Sequence, residues 1–351
     1  MDPELIHIRH TGGLGRITLN RPGALNALNI DMITHITARL QAWRHDPAIT
    51  TVLLDSTSPR AFCAGGDIRA ILHRLETDGP MAAAEPFCRT YRLASLLAGY
   101  PKPVVSFMDG IAMGGGIGLG GHARYRIVTE RSCLAMPETG IALTPDAGGS
   151  YLLSRAPGLS GLRLALTGGY MNATAALDAG FADRQAHSGM LDTLADALIH
   201  QPAGRVVDSL PPCPALPSAP DIADIAAVYD APDVPQIMRR LHTHPAEWAQ
   251  ADLMALNRAS PFSLYVTFAA YHAARRLPDL DSVLEQEFHL IYHLLRRPDF
   301  AEGVRARLID KDNAPRWTPD NPAAVSTREV TDCMQGRAPV SLDLPLCDTV
   351  T

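Results

Sequence analysis

The sequence predicts an α/β protein with a helical C-terminal part, because two kinds of apolar pattern divide the chain. Short apolar runs typical of buried strands recur at Gly15–Leu19, Thr51–Asp55, Val104–Phe107 and Arg126–Val128, and each leads into a loop or a helical pattern. After Gly149 the apolar residues recur mainly at helical spacing. The first pattern indicates a sheet covered by helices, and the second indicates a helical layer beside it.

Helical periodicity predicts the helices between the strands and those of the C-terminal layer. Ile30–Arg44 and Ala83–Leu97 carry apolar residues at helical intervals, and the prolines of Pro101–Pro103 end the second pattern. Three later segments alternate apolar and charged residues as amphipathic helices do. They are Val234–Arg258, Pro261–Arg276 and Leu280–Arg296.

Composition divides the chain into four parts. Residues 1–200 are expected to form the strand-containing core, and residues 234–318 the C-terminal helical region. Between them, 201–233 is rich in Pro, Ala and Asp, which predicts a loose connection or a peripheral loop. After Trp317 the chain is polar and punctuated by prolines, so residues 319–351 are expected to run along the surface or to cover an edge.

Composition and charge argue against several classes of protein. The 351 residues are 46% hydrophobic and 19% charged, which is typical of a globular protein with a sizeable core. A formal net charge of -6 argues against a broad basic surface for nucleic acid or an anionic membrane. The longest apolar stretch, Val104–Gly121, contains Asp109 and many glycines and is a poor candidate for a membrane span. We expect neither nucleic acid nor a membrane as a partner.

The cysteines and the first residues predict a cytoplasmic location. The cysteines at positions 63, 88, 133, 213, 333 and 347 form no CxxC pair, so neither a zinc site nor a disulfide framework is predicted. The opening MDPELIHIRH carries acids early and has no apolar core of a signal peptide, and it is unlike an Arg-rich transit peptide. We therefore expect reduced thiols and a cytoplasmic protein.

Two glycine clusters stand where predicted strands lead into helices. They are Cys63–Asp67, after the strand that ends near Asp55, and Met113–Gly118, after the strand that begins at Val104. Glycine lets the backbone approach a ligand closely, and the first N–H groups of a helix have no partner within it. If the clusters face each other, their amides form an oxyanion hole that stabilises charge on a carbonyl oxygen. The alternative is that the glycines serve only tight packing of helix against strand.

Two carboxylates, Glu138 and Asp146, lie alone in the apolar, glycine-rich stretch Ala135–Gly149. A carboxylate among apolar residues loses hydration, so its pKa rises and it becomes suited to proton transfer or attack near neutral pH. An equally weighted alternative for this segment is that Glu138 caps a helix and Asp146 belongs to a turn.

Other catalytic patterns do not match the sequence. The glycines fit neither a P-loop nor a Rossmann fingerprint, and Ser150 has neither a G-x-S-x-G elbow nor an evident histidine partner. His289 and His293 have the spacing of a shared helix face but lack the glutamate of a zinc protease motif. We interpret these histidines as surface or packing residues and predict no metal site.

Several motifs together resemble the crotonase (enoyl-CoA hydratase/isomerase) superfamily. They are Leu19–Pro22 with Ala24–Leu28, the segment Ala61–Ile68 and the glycine run that follows Met113. Within that superfamily, the segment MPETGIALTPDAGGSYLLSRAPG, the segment SPFSL and the segment RRPDFAEGVRARLIDKDNAPRW are similar to the 3-hydroxyisobutyryl-CoA hydrolase branch. The resemblance runs from about residue 5 to residue 317, nearly the whole chain.

The resemblance implies a crotonase-like spiral of ββα turns that holds the thioester carbonyl of an acyl-CoA between two backbone amides. By motif position, these amides belong to Gly66 and Gly115. Two arginines flank the first glycine cluster, where guanidinium groups either bind CoA phosphates or are simply solvated. The positions expected to bind substrate are Ala64, Gly65, Asp67, Gly114, Arg60 and Arg69.

The resemblance also implies which reaction the site performs. Hydratases of the superfamily add water with two glutamates, one after the GGG run and one in the later P-E segment. Here the first position is Gly118, only Glu138 remains, and Asp146 stands where a hydratase usually has glycine. This pattern implies hydrolysis of a short 3-hydroxyacyl-CoA thioester, with 3-hydroxyisobutyryl-CoA of valine breakdown as the favoured substrate. Glu138 would attack the carbonyl or activate water, and Asp146 would position the substrate hydroxyl or water.

Two alternatives to hydrolysis stay open at the level of sequence. A single carboxylate also suits an enoyl-CoA isomerase or hydratase, although Asp146 counts against it, and a non-catalytic acyl-CoA-binding protein would keep the same fold. Family members often have an acidic residue before the tyrosine that matches Tyr91, whereas this chain has Thr90, which leaves the acyl group open. No cofactor is expected, since CoA arrives as part of the substrate. The C-terminal helices either build a homo-oligomer or fold back on their own subunit.

Overall fold

Two sheets form the centre of the protein, whose computed structural model describes residues 5–211 and 220–344. The strands are β1 (Ile6–Thr11), β2 (Leu14–Leu19), β3 (Thr51–Ser56), β4 (Ala61–Cys63), β5 (Val104–Met108), β6 (Ile111–Met113), β7 (Tyr125–Val128), β8 (Cys133–Ala135) and β9 (Arg184–Gln185). The larger sheet has the order β1-β2-β3-β5-β7-β9, and the smaller has the order β4-β6-β8. Only β1 and β2 pair in antiparallel fashion among these strands, and the other neighbours run parallel.

Three successive turns of the chain each add one strand to both sheets, in the pairs β3 with β4, β5 with β6, and β7 with β8. A helix or a short helical turn follows each pair. This arrangement confirms the predicted α/β class and the spiral of ββα turns. Because β4, β6 and β8 are parallel neighbours, the loops that leave them meet at one edge of the small sheet. Both glycine clusters and Glu138 lie in these loops.

The four strands predicted from sequence are confirmed as β2, β3, β5 and β7, which are neighbours in the large sheet. Parallel strands covered on both faces appear in the sequence as continuous apolar runs, and in β3 all residues except the last are buried. The strands β4, β6 and β8 were not predicted. Each has three residues, which is too short to show a strand period.

Helices cover both sheets, and several begin at a side chain that accepts a backbone N–H of the first turn. Asn29 accepts from the N–H of Met32, and Asp279 accepts from that of Ser282. The helices are α1 (Ile30–Trp43), α2 (Ile68–Asp78), α3 (Pro80–Ala98), α4 (Gly115–Gly120), α5 (Gly149–Arg155), α6 (Ser160–Thr167), α7 (Ala173–Asp178), α8 (Leu191–His200), α9 (Ala203–Asp208), α10 (Ile222–Tyr229), α11 (Val234–Thr243), α12 (Glu247–Arg258), α13 (Pro261–Ala274), α14 (Leu280–Leu295), α15 (Pro298–Val304) and α16 (Thr327–Gln335).

Two expectations about the second half of the chain need correction. The segment predicted as one helix over Val234–Arg258 is two helices, α11 and α12, because Pro245 forces the preceding His244 into an extended conformation, with ψ of 132°. The stretch 201–233, predicted as a loose connection or a peripheral loop, contains α9 and α10 in its described part, and each helix buries one apolar side, with Val206 and Val207 in α9 and Ile225, Val228 and Tyr229 in α10. The PPCPALPSAPD segment on which that prediction rested lies largely outside the described residues, which omit 212–219.

The C-terminal helices pack on the core of their own chain. Helix α14 lies along α3, α13 lies against α5 and α6, and α15 lies against the 3-10 helix Glu138–Ile141. In the last part of the chain, α16 buries Val330 and Cys333 against this layer while most of its other residues are exposed. No helix within residues 5–211 and 220–344 is long and apolar enough to cross a membrane.

Candidate active site

The two glycine clusters lie against each other. The first leaves β4 and leads into α2, and the second leaves β6 and leads into α4. A Cβ placed on Gly115 would lie 3.4 Å from the amide nitrogen of Gly66, and a Cβ on Gly65 would lie 3.5 Å from the amide nitrogen of Gly115. Gly65 and Gly114 have positive φ, at +105° and +49°, so the turn and the close approach both require glycine.

The N–H groups of Gly66 and Gly115 are free for a ligand. Gly115 is the first residue of α4, so its N–H has no partner within the helix. On either side of Gly66, the carbonyl of Gly65 accepts from the N–H of Leu28, and the N–H of Asp67 donates to the carbonyl of Leu28. Neither bond uses the N–H of Gly66. Among the backbone hydrogen bonds of the described residues, neither N–H has an acceptor. Two such donors side by side are the geometry of an oxyanion hole.

Glu138 lies beside these amides. It is the third residue after the end of β8, starts a 3-10 helix and is only 6% exposed. A Cβ on Gly114 would lie 2.7 Å from Glu138 Oε1, so the glycine leaves the room that the carboxyl group occupies. Its other oxygen, Oε2, is buried without a hydrogen-bond partner among the described residues. Burial, and then the nearby Asp146 carboxyl, raise the pKa of Glu138 well above its usual value.

Asp146 is the second carboxyl group of the site. It is 5% exposed, and the hydroxyl of Tyr91 in α3 donates a 2.7 Å hydrogen bond to its Oδ2. Burial raises the pKa of Asp146 to about 7, although the Tyr91 hydrogen bond acts in the opposite direction. Asp146 and Glu138 are close enough to influence each other's ionisation, so the structure brings the two predicted carboxylates together.

Glu287 is a third buried carboxyl group, which the sequence analysis missed. It lies in α14, is 0% exposed and accepts backbone hydrogen bonds from Gly148 at 2.8 Å and from Ser150 at 2.9 Å. Burial raises the pKa of Glu287 to about 8 against the lowering effect of the Gly148 bond, and Asp146 raises it further. The sequence does carry a sign of this buried acid, because Glu287 lies on the apolar face of α14 together with Leu284, Phe288 and Ile291. A charged residue is unusual on such a face.

Gly118, which stands at the position of a hydratase glutamate, has no room for a side chain. A Cβ there would lie 2.7 Å from the Cβ of Ala147 and 3.0 Å from its carbonyl oxygen. The turn that carries Asp146 therefore fills the space that a glutamate at position 118 would need.

Thr90 presents a methyl group near the amide pair. Its hydroxyl donates a 2.9 Å hydrogen bond to the carbonyl of Pro86, one turn earlier in α3. Its Cγ2 lies 3.6 Å from the position of a Cβ on Gly115. The wall of the site next to Gly115 is therefore apolar where family members often carry an acid.

The remaining predicted residues have other contacts in this structure. Asp67 caps α2 by accepting from the N–H of Ala70 at 3.2 Å, and it pairs with Arg21 at 2.8 Å. Arg69 donates to the carbonyl of Leu308, which follows α15 in the chain, and Arg60 is exposed. Their binding of substrate stays a prediction, as does that of Ala64.

Known proteins resemble this chain over almost its whole length. Residues 14–334 match the family described as enoyl-CoA hydratase/isomerase. The mitochondrial 3-hydroxyisobutyryl-CoA hydrolase of Gallus gallus is 36% identical over 93% of this chain and 88% of the relative, and that of Danio rerio is 36% identical over 92% and 87%. The relatives' names specify mitochondria, while the cytoplasmic location of this chain stays a prediction.

Two crystal structures share the fold closely. An enoyl-CoA hydratase from Rhodobacter sphaeroides 2.4.1 is 38% identical, with a TM-score of 0.90, over 97% of this chain and 99% of its own. A carnitinyl-CoA dehydratase from Mycobacterium thermoresistibile is also 38% identical, with a TM-score of 0.89, over 96% and 97%. The names of these relatives thus divide between hydrolysis of a thioester and addition or removal of water.

Proposed function

Because this chain belongs to the enoyl-CoA hydratase/isomerase family, we propose that it hydrolyses the thioester of a short 3-hydroxyacyl-CoA, with 3-hydroxyisobutyryl-CoA of valine breakdown as the favoured substrate. The observation that carries this choice is the contact between Gly118 and Ala147. It leaves no space for the hydratase glutamate that follows the GGG run, whereas Asp146 lies near Glu138. The two carboxyl groups are thus arranged differently from those that add water to an enoyl group.

The free amides of Gly66 and Gly115 support binding of the thioester carbonyl. Its oxygen accepts both N–H bonds, and these bonds strengthen when negative charge develops on the oxygen in the tetrahedral intermediate. The N-terminal end of α4 adds its partial positive charge. Comparable donors each contribute about 3 kcal/mol to stabilisation of the transition state.

Glu138, whose Oε1 lies next to Gly114 at the start of the second glycine cluster's helix, provides the reactive carboxylate. In one route it attacks the carbonyl carbon, CoA leaves as a thiolate that takes up a proton, and water opens the resulting mixed anhydride. In the other route it takes a proton from water, which attacks the carbonyl directly. The unpartnered Oε2 of Glu138 suits either role.

Asp146 orients the substrate hydroxyl or the water and shares in proton transfer. Two neighbouring buried carboxyl groups do not both ionise readily, so one of the pair keeps a proton near neutral pH. A protonated acid beside an ionised carboxylate is the combination that proton delivery to the leaving thiolate requires.

A panel of purified protein with 3-hydroxyisobutyryl-, 3-hydroxypropionyl-, 3-hydroxybutyryl- and crotonyl-CoA tests the proposal. A thiol reagent reports free CoA, and the absorbance of the enoyl thioester reports hydration. We expect thiol release from 3-hydroxyisobutyryl-CoA, and loss of that release in Glu138→Gln. Loss of crotonyl-CoA absorbance without thiol release would instead identify a hydratase, the activity in the name of the Rhodobacter sphaeroides 2.4.1 structure. Tight binding without either signal would identify an acyl-CoA-binding protein.

A further inference from the structure

We infer that Glu287 of the C-terminal helix α14 is a positioning residue for catalysis. It holds the turn that carries Asp146 in place, and its carboxyl group hinders the simultaneous ionisation of Asp146 and Glu138. This inference rests on the proposed hydrolysis. It assigns a role in the reaction to a residue almost 140 positions away along the chain from the turn that it binds.

Both oxygens of Glu287 are used to hold the turn. Oε2 accepts from the N–H of Gly148 and Oε1 from the N–H of Ser150, at 2.8 and 2.9 Å. The turn needs this support, because Ala147 and Gly148 have φ of +53° and +80°. A non-glycine residue in that region is strained and persists only where its surroundings hold it.

The geometry links this support to the reactive groups. Asp146 comes directly before the strained Ala147, and the N–H of Gly149 donates to the Asp146 carbonyl at 2.7 Å. On its other side, the Asp146 carboxyl accepts from Tyr91. The side chain of Asp146 is therefore fixed between α3 and a turn that α14 holds. A displacement of this turn moves the carboxyl group relative to Glu138.

Capping alone does not explain a carboxyl group at this place. A buried charge is costly, and a neutral Ser or Asn side chain caps a helix end well. The acidic and phenolic groups that face Glu287 are Asp146 in the turn, Glu138 in the 3-10 helix and Tyr91 in α3, while His122 contacts the same turn, with its Nε2 3.1 Å from the carbonyl oxygen of Ala147. Within the described residues, none of the recorded ion pairs joins these carboxyl groups to an arginine or lysine.

Three buried acids without a cation do not all ionise readily near neutral pH, because the charge of one raises the pKa of its neighbours. Glu287 therefore acts on the catalytic pair through charge as well as through position. An ionised Glu287 raises the pKa of a neighbouring acid that still holds its proton, so removal of Glu287 lets that acid ionise at lower pH.

The test compares Glu287→Gln with Glu285→Gln. Glu285 lies in the same helix and also forms side-chain bonds, but it faces His289 and the backbone of Leu342 rather than the turn. For Glu287→Gln we expect kcat for thioester hydrolysis to fall about tenfold, with KM changed less. We also expect the alkaline limb of the pH profile, where the last proton of the pair is lost, to move to lower pH by about half a unit to one unit. Glu285→Gln should match the wild type in all three.

An unchanged kcat in folded Glu287→Gln, or a lower kcat with an unmoved pH profile, would overturn the inference. If Glu287→Gln does not fold, carboxyl NMR on the wild type and on Asp146→Asn decides the matter. A carboxyl resonance that titrates above pH 6 and moves to lower pH in Asp146→Asn supports coupling, and its absence overturns it. Failure of the wild type to hydrolyse any thioester is a separate result, which removes the proposed function itself.

Discussion

The Tyr91 hydroxyl donates a 2.7 Å hydrogen bond to Oδ2 of Asp146, in a site where both residues are buried. A hydrogen bond to a carboxylate favours its ionised form. Tyr91 therefore opposes burial, which raises the pKa of Asp146, and keeps this acid near the middle of the physiological range, at about 7. In the proposed hydrolysis, the Tyr91 phenol therefore acts through Asp146, by influencing the pH at which that acid ionises.

Tyr91→Phe removes that donor, so the pKa of Asp146 rises. The expected result is an acid limb of the hydrolysis profile that moves to higher pH by about one unit, whereas Glu287→Gln is expected to move the alkaline limb. The measurement is kcat/KM from pH 5 to pH 9. Tyr265→Phe is the matched control, since that hydroxyl donates to the carbonyl of Pro322, away from the site. Coincident profiles for Tyr91→Phe and the control would contradict the role given to this bond.

Glu138→Gln and Asp146→Asn keep the size of each side chain and remove its charge and proton exchange. Each is expected to lower kcat by about 100-fold or more, while affinity for the CoA thioester changes little. Release of CoA thiol measures turnover, and calorimetry measures binding. Glu130→Gln serves as control, because Glu130 is exposed and bonds to Ser188. Full turnover in both site variants would refute the assignment of these carboxyl groups.

Gly118→Ala is expected to destabilise the fold, since the new Cβ would overlap the Cβ and carbonyl oxygen of Ala147. Overpacking of this kind costs about 1–3 kcal/mol of unfolding free energy. Urea unfolding measures the loss. Gly23→Ala is the control, because a Cβ there meets no atom within 4 Å. If Gly118→Ala is as stable as the control, the site has room at position 118 and the argument against a hydratase weakens.

The carboxyl groups also predict how stability depends on pH. Asp146 and Glu287 have pKa values near 7 and 8 in the folded chain and near 4 when unfolded, so the folded state binds more protons between these limits. Their contribution to stability is full below about pH 4 and is lost as the pH rises through 7 and 8. His122 acts in the opposite direction, because burial lowers its pKa to about 4.

A comparison of variants separates these contributions. Unfolding free energies of the wild type and Asp146→Asn, measured by urea from pH 5 to pH 9, share the effect of His122. As the pH rises, the wild type is expected to lose stability relative to Asp146→Asn, since only the wild type must ionise Asp146. A difference that does not vary with pH would show that Asp146 ionises as readily in the folded chain as in the unfolded one.

Local patterns in the sequence allowed the α/β class and the two halves of the site to be predicted, whereas the spiral arrangement followed from the resemblance to the crotonase superfamily. Buried parallel strands such as β3 are continuous apolar runs, and glycine clusters at the start of helices mark close backbone approaches. Glu138 and Asp146 were visible because charge is rare in that apolar stretch. The pairing of Gly66 with Gly115 was inferred from motif position, and the structure places these residues side by side.

Other features depend on contacts between distant segments. Glu287 belongs to the site only because α14 folds back along α3, and no local pattern reports that return. The split between α11 and α12 does have a local signal in the sequence, because Pro245 interrupts an otherwise continuous amphipathic pattern. The strands of the small sheet are short, and they form because neighbouring turns of the spiral bring them together.

The return of α14 to the turn after Asp146 sets a limit on when the site is complete during synthesis. The N–H of Gly148 donates to Glu287, which lies 139 residues later in the chain. During synthesis the ββα spiral therefore leaves the ribosome well before the helix that holds the turn. A nascent chain that ends before α14 carries both carboxylates and both amides but leaves Ala147 and Gly148 without their support. We expect such a chain to be inactive, so that competence for turnover begins only after α14 has left the ribosome.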